Sequence, residues 1–298
     1  MKKFLTLSLL VLSSVSLLAQ NWYIRPGVGY TLPTNQVNFP EVDAPAADVK
    51  INGMTGDTTS TKLLTGNLGQ GFRVGAAFGK MFNDNVGFEM GINFLRGVEE
   101  EMALLTITGL PNLTEAKMTG QLWTLDVSPS LIVKGSGDKW VPYARAGLFI
   151  PVGGLLTVTN SINDPNGALA GMPGVNYTLE STMEVKSQFV LGYQGAVGVN
   201  YQLSDDMSLF GEVHFLSFIS PAQETEITEY EAVLTGVATR SLSDLSEYEK
   251  KNNFEEEITP NSNVQGNPGF DANKPMDRLD SFLNLSAVTV NIGITILL

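Results

Sequence analysis

The sequence predicts an all-β fold: a closed antiparallel β-barrel of about eight strands that crosses a membrane. Three observations predict it. Segments along the chain alternate apolar residues with small or polar ones at period two. The connections between these segments alternate strictly between short and long. One face of the segments is bulky, aromatic and nearly uncharged, whereas the other is rich in Gly, Ala, Ser and Asn.

The chain begins with a stretch that is set apart from the fold. Lys2 and Lys3 precede an apolar run from Phe4 to Leu18, and Leu17-Leu18-Ala19 ends in a small residue. This is the pattern of a secretory signal peptide over 1–19, cleaved after Ala19, with one barrel domain over 20–298. No later run approaches the roughly 18–20 apolar residues that a membrane helix needs, which excludes a helical membrane protein. The absence of cysteine excludes disulfides, thiolate metal sites and a lipid-attachment cysteine. The formal net charge is −13, two more negative once Lys2 and Lys3 are removed, so the surface repels nucleic acid.

The clearest strand is Gln188 to Leu203, where Phe189, Leu191, Tyr193, Val197, Val199 and Tyr201 share one face. The terminal strand places Val288, Val290, Ile292, Ile294 and Ile296 together. Six more strands are expected at about 22–31, 71–82, 86–97, 119–134, 140–156 and 207–219. The 140–156 segment alternates least well, offering only Ala144, Ala146, Leu148 and Ile150. Pro26, Pro129 and Pro142 lack a ladder donor and are expected at bulges or strand ends.

Three connections are short: 83–85, 135–139 and 204–206. Four are long: about 32–70, 98–118, 157–185 and 220–280. Membrane barrels have this arrangement, with tight periplasmic turns and extended external loops. Pairing across the short turns puts Phe82 opposite Val86 and Leu203 opposite Met207, on the apolar face in both cases. A soluble barrel would turn that face inward and show many Lys and Glu on the other. Here the second face is small and sparsely charged, so the apolar face meets lipid. Its cations Lys80 and Arg96 lie near strand ends, placed to snorkel, and Tyr30, Trp123, Phe189 and Tyr201 are positioned as an aromatic girdle.

The segment Pro142-Tyr143-Ala144-Arg145-Ala146-Gly147, the Leu209-Phe210-Gly211-Glu212-Val213 strand and the Val288–Leu298 strand carry a resemblance. The chain resembles the small outer-membrane barrels of the OmpA/OmpW type. The resemblance implies residence in a Gram-negative outer membrane. It also implies contact with outer-membrane lipid, lipopolysaccharide and the barrel-assembly machinery. Such barrels commonly end on an aromatic residue, and this chain ends on Leu298. No globular periplasmic domain is expected after Leu298, so the resemblance does not imply the peptidoglycan anchoring of longer relatives.

Strand parity sends Arg25, Arg73, Glu89, Asp126, Arg145, Glu212 and His214 into the lumen, joined by Asn93, Gln194 and Asn291. An eight-stranded barrel is only wide enough to be filled by side chains. These residues therefore read as a plug of paired charges, with a charge-lined path for small solutes as the competing reading. Asp126 and Arg145 flank one short turn and are expected to pair, with Glu212 near enough to share Arg145. His214 is the only histidine and reads as a hydrogen-bonded wall residue; no catalytic, cofactor or metal site is expected. The acidic stretch 221–258 holds ten Asp and Glu against Arg240, Lys250 and Lys251, with a short helix expected in 243–252. It reads as a solvated surface, with a cation or surface partner as the sharper alternative. The expected role is non-enzymatic and structural, with surface display. A narrow carrier for small or apolar solutes, an accessory barrel of a secretion or uptake complex, and a membrane-embedded enzyme are the alternatives.

Overall fold

The computed structural model describes residues 21–33, 37–38 and 46–298. The signal-peptide segment lies outside these residues. Eight strands close the barrel: β1 (Trp22–Pro33), β2 (Gly71–Met81), β3 (Val86–Gly97), β4 (Thr114–Lys134), β5 (Trp140–Asp164), β6 (Gly192–Ser204), β7 (Met207–Ser217) and β8 (Ala287–Leu297). Each pairs antiparallel with its neighbours in sequence, and β8 returns to β1 with Val28 opposite Ile292, so the barrel has no free edge. Closure is what lets a sheet cross a bilayer, because it leaves no edge strand with a row of unpaired backbone groups.

The wall sorts its side chains as the alternation demands. Phe72, Val74, Ile92, Leu131, Val197 and Ile292 point outward and are exposed. Two aromatic belts bound this apolar band. Trp22 stacks on Phe78 and Trp140 packs against Tyr201 near the short turns; Tyr30–Phe72 and Phe94–Trp123 pack at the opposite rim. Trp22 and Tyr30 are eight residues apart on β1, about 26 Å along the strand, which the usual tilt of about 35–45° turns into a rise of about 20 Å across the membrane. Lys80 lies over the Trp22 ring and Arg96 reaches Gln121, so both cations sit at the rims.

The first turn has the expected register: the Phe82 amide donates to the Val86 carbonyl, and Met81 faces Gly87. The turn before β7 differs. Ser204, not Leu203, pairs with Met207, because the ladder shifts by one residue after Gln202. Pro26 and Pro129 also depart from expectation. The β1–β8 ladder stops at Ile24 and resumes at Gly27, and the β4–β5 ladder is interrupted opposite Pro129, both without a change of register. A missing donor opens a ladder without requiring an inserted residue. The β4–β5 ladder first pairs at Tyr143, so Pro142 falls at its end.

A bulge in the wall lies at Val152, where the β4–β5 register shifts between Pro151 and Gly153. It explains why β5 alternates weakly in sequence. Tyr143, Arg145, Gly147 and Phe149 face inward before it, whereas Leu156 and Val158, both fully buried, face inward after it.

The long connections are not simple loops. Strands β4 and β5 continue to Thr114 and Asp164, and β5 alone has 25 residues where a crossing needs about 9–11. The strands Ala47–Asn52, Thr58–Leu63, Glu100–Thr108, Tyr177–Ser187 and Ile219–Leu234 extend the wall beyond the bilayer. Out there water lies outside the wall, so the polarity reverses and the inner face is apolar. Leu122, Phe149, Leu156, Val158, Met183, Val185, Leu216, Phe218, Leu283 and Leu285 form one core across the upper mouth of the barrel. The helix expected in 243–252 is a single turn, Glu247–Lys250, capped reciprocally by Ser246 and Glu249, and a 3₁₀ turn at Leu242–Asp244 precedes it.

Candidate functional site

The lumen is the candidate site, and its chemistry changes in layers along the barrel axis. Nearest the short turns, β1, β3, β5 and β7 converge on one cluster. The Tyr23 hydroxyl donates to Glu89 Oε1 at 2.8 Å, and Arg25 Nη1 donates to the same oxygen at 3.3 Å. Arg25 Nη2 donates to Glu212 Oε2 at 2.8 Å and contacts the Tyr143 hydroxyl. Tyr143 donates to Glu212 Oε2 at 2.8 Å, Asn291 Nδ2 donates to Glu212 Oε1 at 3.0 Å, and Arg145 Nη2 donates to the same Oε1. Arg145 Nη1 also stands 3.8 Å from Glu89 Oε2. The Arg25 guanidinium lies over the Phe210 ring, 4.0 Å from its centroid, and 4.4 Å from that of Tyr143. These rings cover the faces of the cation while its edge is used for ion pairing.

Bulky groups fit here because the facing wall is glycine. A Cβ at Gly79 would lie 2.3 Å from the Tyr23 ring, and one at Gly293 would lie 2.6 Å from Phe210 and 2.2 Å from the Pro26 carbonyl oxygen. Any side chain at either position would collide with the cluster or its wall.

The middle layer is polar with one ion pair. Arg73 Nη2 donates to both oxygens of Asp126, at 3.0 and 2.8 Å. Asn93 Nδ2 donates to Asp126 Oδ1 at 2.8 Å and to Ser128 at 3.0 Å. His214 Nε2 lies 3.0 Å from Gln194 Oε1, and Gln194 Nε2 donates to Ser130 at 3.1 Å. That orientation of the amide makes Nε2 the protonated nitrogen of His214. Above this layer sits the apolar core.

All seven charged or titratable residues read from parity therefore lie in this interior: Glu89 and Asp126 are fully buried, and Arg25, Arg73, Glu212 and His214 nearly so. The expected Asp126–Arg145 pair does not form. The β4–β5 register sets Arg145 opposite Ile132 and Asp126 opposite Pro151, six residues apart, or about 20 Å along the strand. Asp126 pairs instead with Arg73, and Arg145 with Glu212. Parity gives the side of a wall; only register gives the height. Tyr23, Tyr143 and Phe210 were not read as site residues, although they share parity with Arg25, Arg145 and Glu212. A phenol beside buried carboxylates was the available signal.

One buried acid stands apart, beyond the membrane. Asp164 at the far end of β5 accepts from the Thr114 hydroxyl at 2.8 Å and the Leu169 amide at 2.7 Å. Burial opposes its ionisation, but these donors outweigh it and hold the carboxyl below its usual range.

A family model described as the outer membrane protein beta-barrel domain matches residues 7–240. Among solved structures the chain is similar to the outer membrane protein OprG from Pseudomonas aeruginosa, at 14% identity and a TM-score of 0.40, over 92% of this chain and 94% of that one. It is also similar to the E. coli outer membrane protein W, at 15% identity and a TM-score of 0.34, over 93% and 97% of the two chains. No curated protein matches.

Proposed function

The chain belongs to the outer membrane protein β-barrel domain family, and on that premise we propose that it is a non-enzymatic barrel whose sealed lumen makes it a structural and surface-displaying element of the envelope. The observation that supports this reading most strongly is the double closure of the interior. Three arginines meet three carboxylates in the lumen, each carboxylate bound by at least one guanidinium. An apolar core then covers the upper mouth. A solute crossing through the lumen would have to part both. The β-built extension carries an acidic outer face, with Glu180 opposite Glu231 and Glu184 opposite Glu226. Lipid and lipopolysaccharide at the apolar band, the assembly machinery, and a cationic surface partner are the contacts this reading assigns. The test is solute-driven swelling of vesicles carrying the refolded protein. A sealed lumen gives no swelling with small sugars or amino acids beyond that of protein-free vesicles; swelling at rates typical of pores overturns the reading.

A second reading is favoured by one seam in the wall. Between Phe149 and Leu156, β5 pairs with β4 but not with β6, and the gap opens on a small apolar cavity bounded by Pro151, Gly153, Leu122 and Phe218. On this reading apolar solutes pass sideways from the extension into the outer leaflet, and uptake of a labelled apolar solute would be lost when the seam is cross-linked.

A further inference from the structure

Between the lower cluster and the middle layer the lumen holds a cavity of about 40 Å³, room for roughly three waters or for an ion with one or two. Arg25, Arg73, Arg145 and His214 all reach it, and Glu212 is the one carboxylate on its lining. Glu212 is already engaged by Arg25, Arg145, Tyr143 and Asn291. Glu89 and Asp126, the other two lumen acids, are not on the cavity wall. Positive charge therefore outweighs negative on the lining, with Glu89 and Asp126 behind it.

The donors are also unequally spent. Arg73 makes both of its bonds to Asp126 through Nη2, so Nη1 and Nε lie outside that pair. His214 directs Nε2–H to Gln194 and leaves Nδ1 without a partner, although its side chain is almost fully buried. A buried nitrogen left without a hydrogen bond is costly.

We propose that this cavity binds one small monovalent anion of halide size, held by Arg73 and Arg145, which both line it. A water beside it gives one hydrogen to the His214 Nδ1 lone pair and the other to the anion, which satisfies that buried nitrogen. A cation would face three guanidinium groups.

This inference extends the sealed-lumen reading, but its test does not depend on conductance. Crystals of the refolded protein are grown with bromide in place of chloride, and anomalous scattering is recorded at the bromine edge. The expected result is an anomalous peak in the cavity within hydrogen-bond reach of Arg73. Arg73→Gln alone leaves Asp126 buried without a cation, so the comparison uses Arg73→Gln with Asp126→Asn, which keeps the lumen neutral. In that variant the peak disappears. In solution, bromide raises the wild-type thermal midpoint in a saturable way over gluconate at equal ionic strength, and the double variant loses at least tenfold in apparent affinity. Waters alone in the wild-type cavity, or a peak unchanged in the variant, overturns the proposal.

Discussion

Glu212 is the hub of the lumen, and replacing it with glutamine gives a quantitative test of the plug. Gln keeps the shape and can still accept from Asn291, but the charge that holds Arg25 and Arg145 is gone. The lumen then carries three arginines against Glu89 and Asp126. Asp126 is committed to Arg73, and Glu89 is 3.3 Å from Arg25 and only 3.8 Å from Arg145. The side chains of Arg25 and Glu212 are 4% and 1% exposed, so solvent screens little of the loss. Breaking a buried pair by removing one partner costs about 3–5 kcal/mol. Residual bonds to the neutral amide and the partial exposure of Arg145 point to the lower half of that range. Urea unfolding in lipid vesicles should therefore show a loss of about 3 kcal/mol for Glu212→Gln. Adding Arg145→Met should recover part of it, with a coupling of about 1–2 kcal/mol. A loss under about 1 kcal/mol, or additivity within about 0.5 kcal/mol, would refute the reasoning and make these residues independent wall positions.

Further outcomes follow from other parts of the molecule. Gly293→Val should destabilise the barrel by about 1–3 kcal/mol or more in the same unfolding assay, since the new Cβ meets the Pro26 carbonyl and Phe210; unchanged stability would mean that the ring does not lie against this wall. Protease added to intact cells should cut first in the irregular stretch between Glu255 and Met276, and should spare the turns at 83–85 and 205–206; early cleavage at those turns would reverse the orientation. The folded Asp164 carboxyl is held below its usual value, so its contribution is present above the unfolded carboxylate pKa of about 3.9 and is lost as pH falls through the folded one. Amide exchange around Leu169 should accelerate as pH drops below about 4, after correction for intrinsic exchange rates, and Asp164→Asn should flatten that dependence; a wild-type profile matching the variant's would contradict the assignment. Unheated and boiled samples should migrate differently in detergent gels, because a closed wall resists mild detergent; equal migration would argue against a closed barrel.

The eight barrel strands were legible because lipid outside and a narrow lumen inside impose a strict period of two, visible in β8 from Val288 to Ile296. Three kinds of feature were not. The Val152 bulge moves the inward face of β5 from odd to even positions, so no single alternation fits the strand. The strands of the extension, such as Thr58–Leu63 and Ile219–Leu234, are dense in Thr and Glu and read as solvated loop, although Thr suits a pleated surface. The partners of the lumen charges depend on register, which composition leaves open wherever a turn is longer than three residues, as at 135–139. The side of each lumen residue could thus be read from sequence, but not its height, and Asp126 was matched with the wrong arginine.

The account turns on a lumen closed by its own side chains, and single-channel recording of the refolded protein in a planar bilayer tests that most directly. The wild-type protein should leave the bilayer silent, with brief leak events appearing in Glu212→Gln as the Arg25–Glu212–Arg145 contacts are lost. Steady, long-lived conductance in the wild-type protein would contradict it.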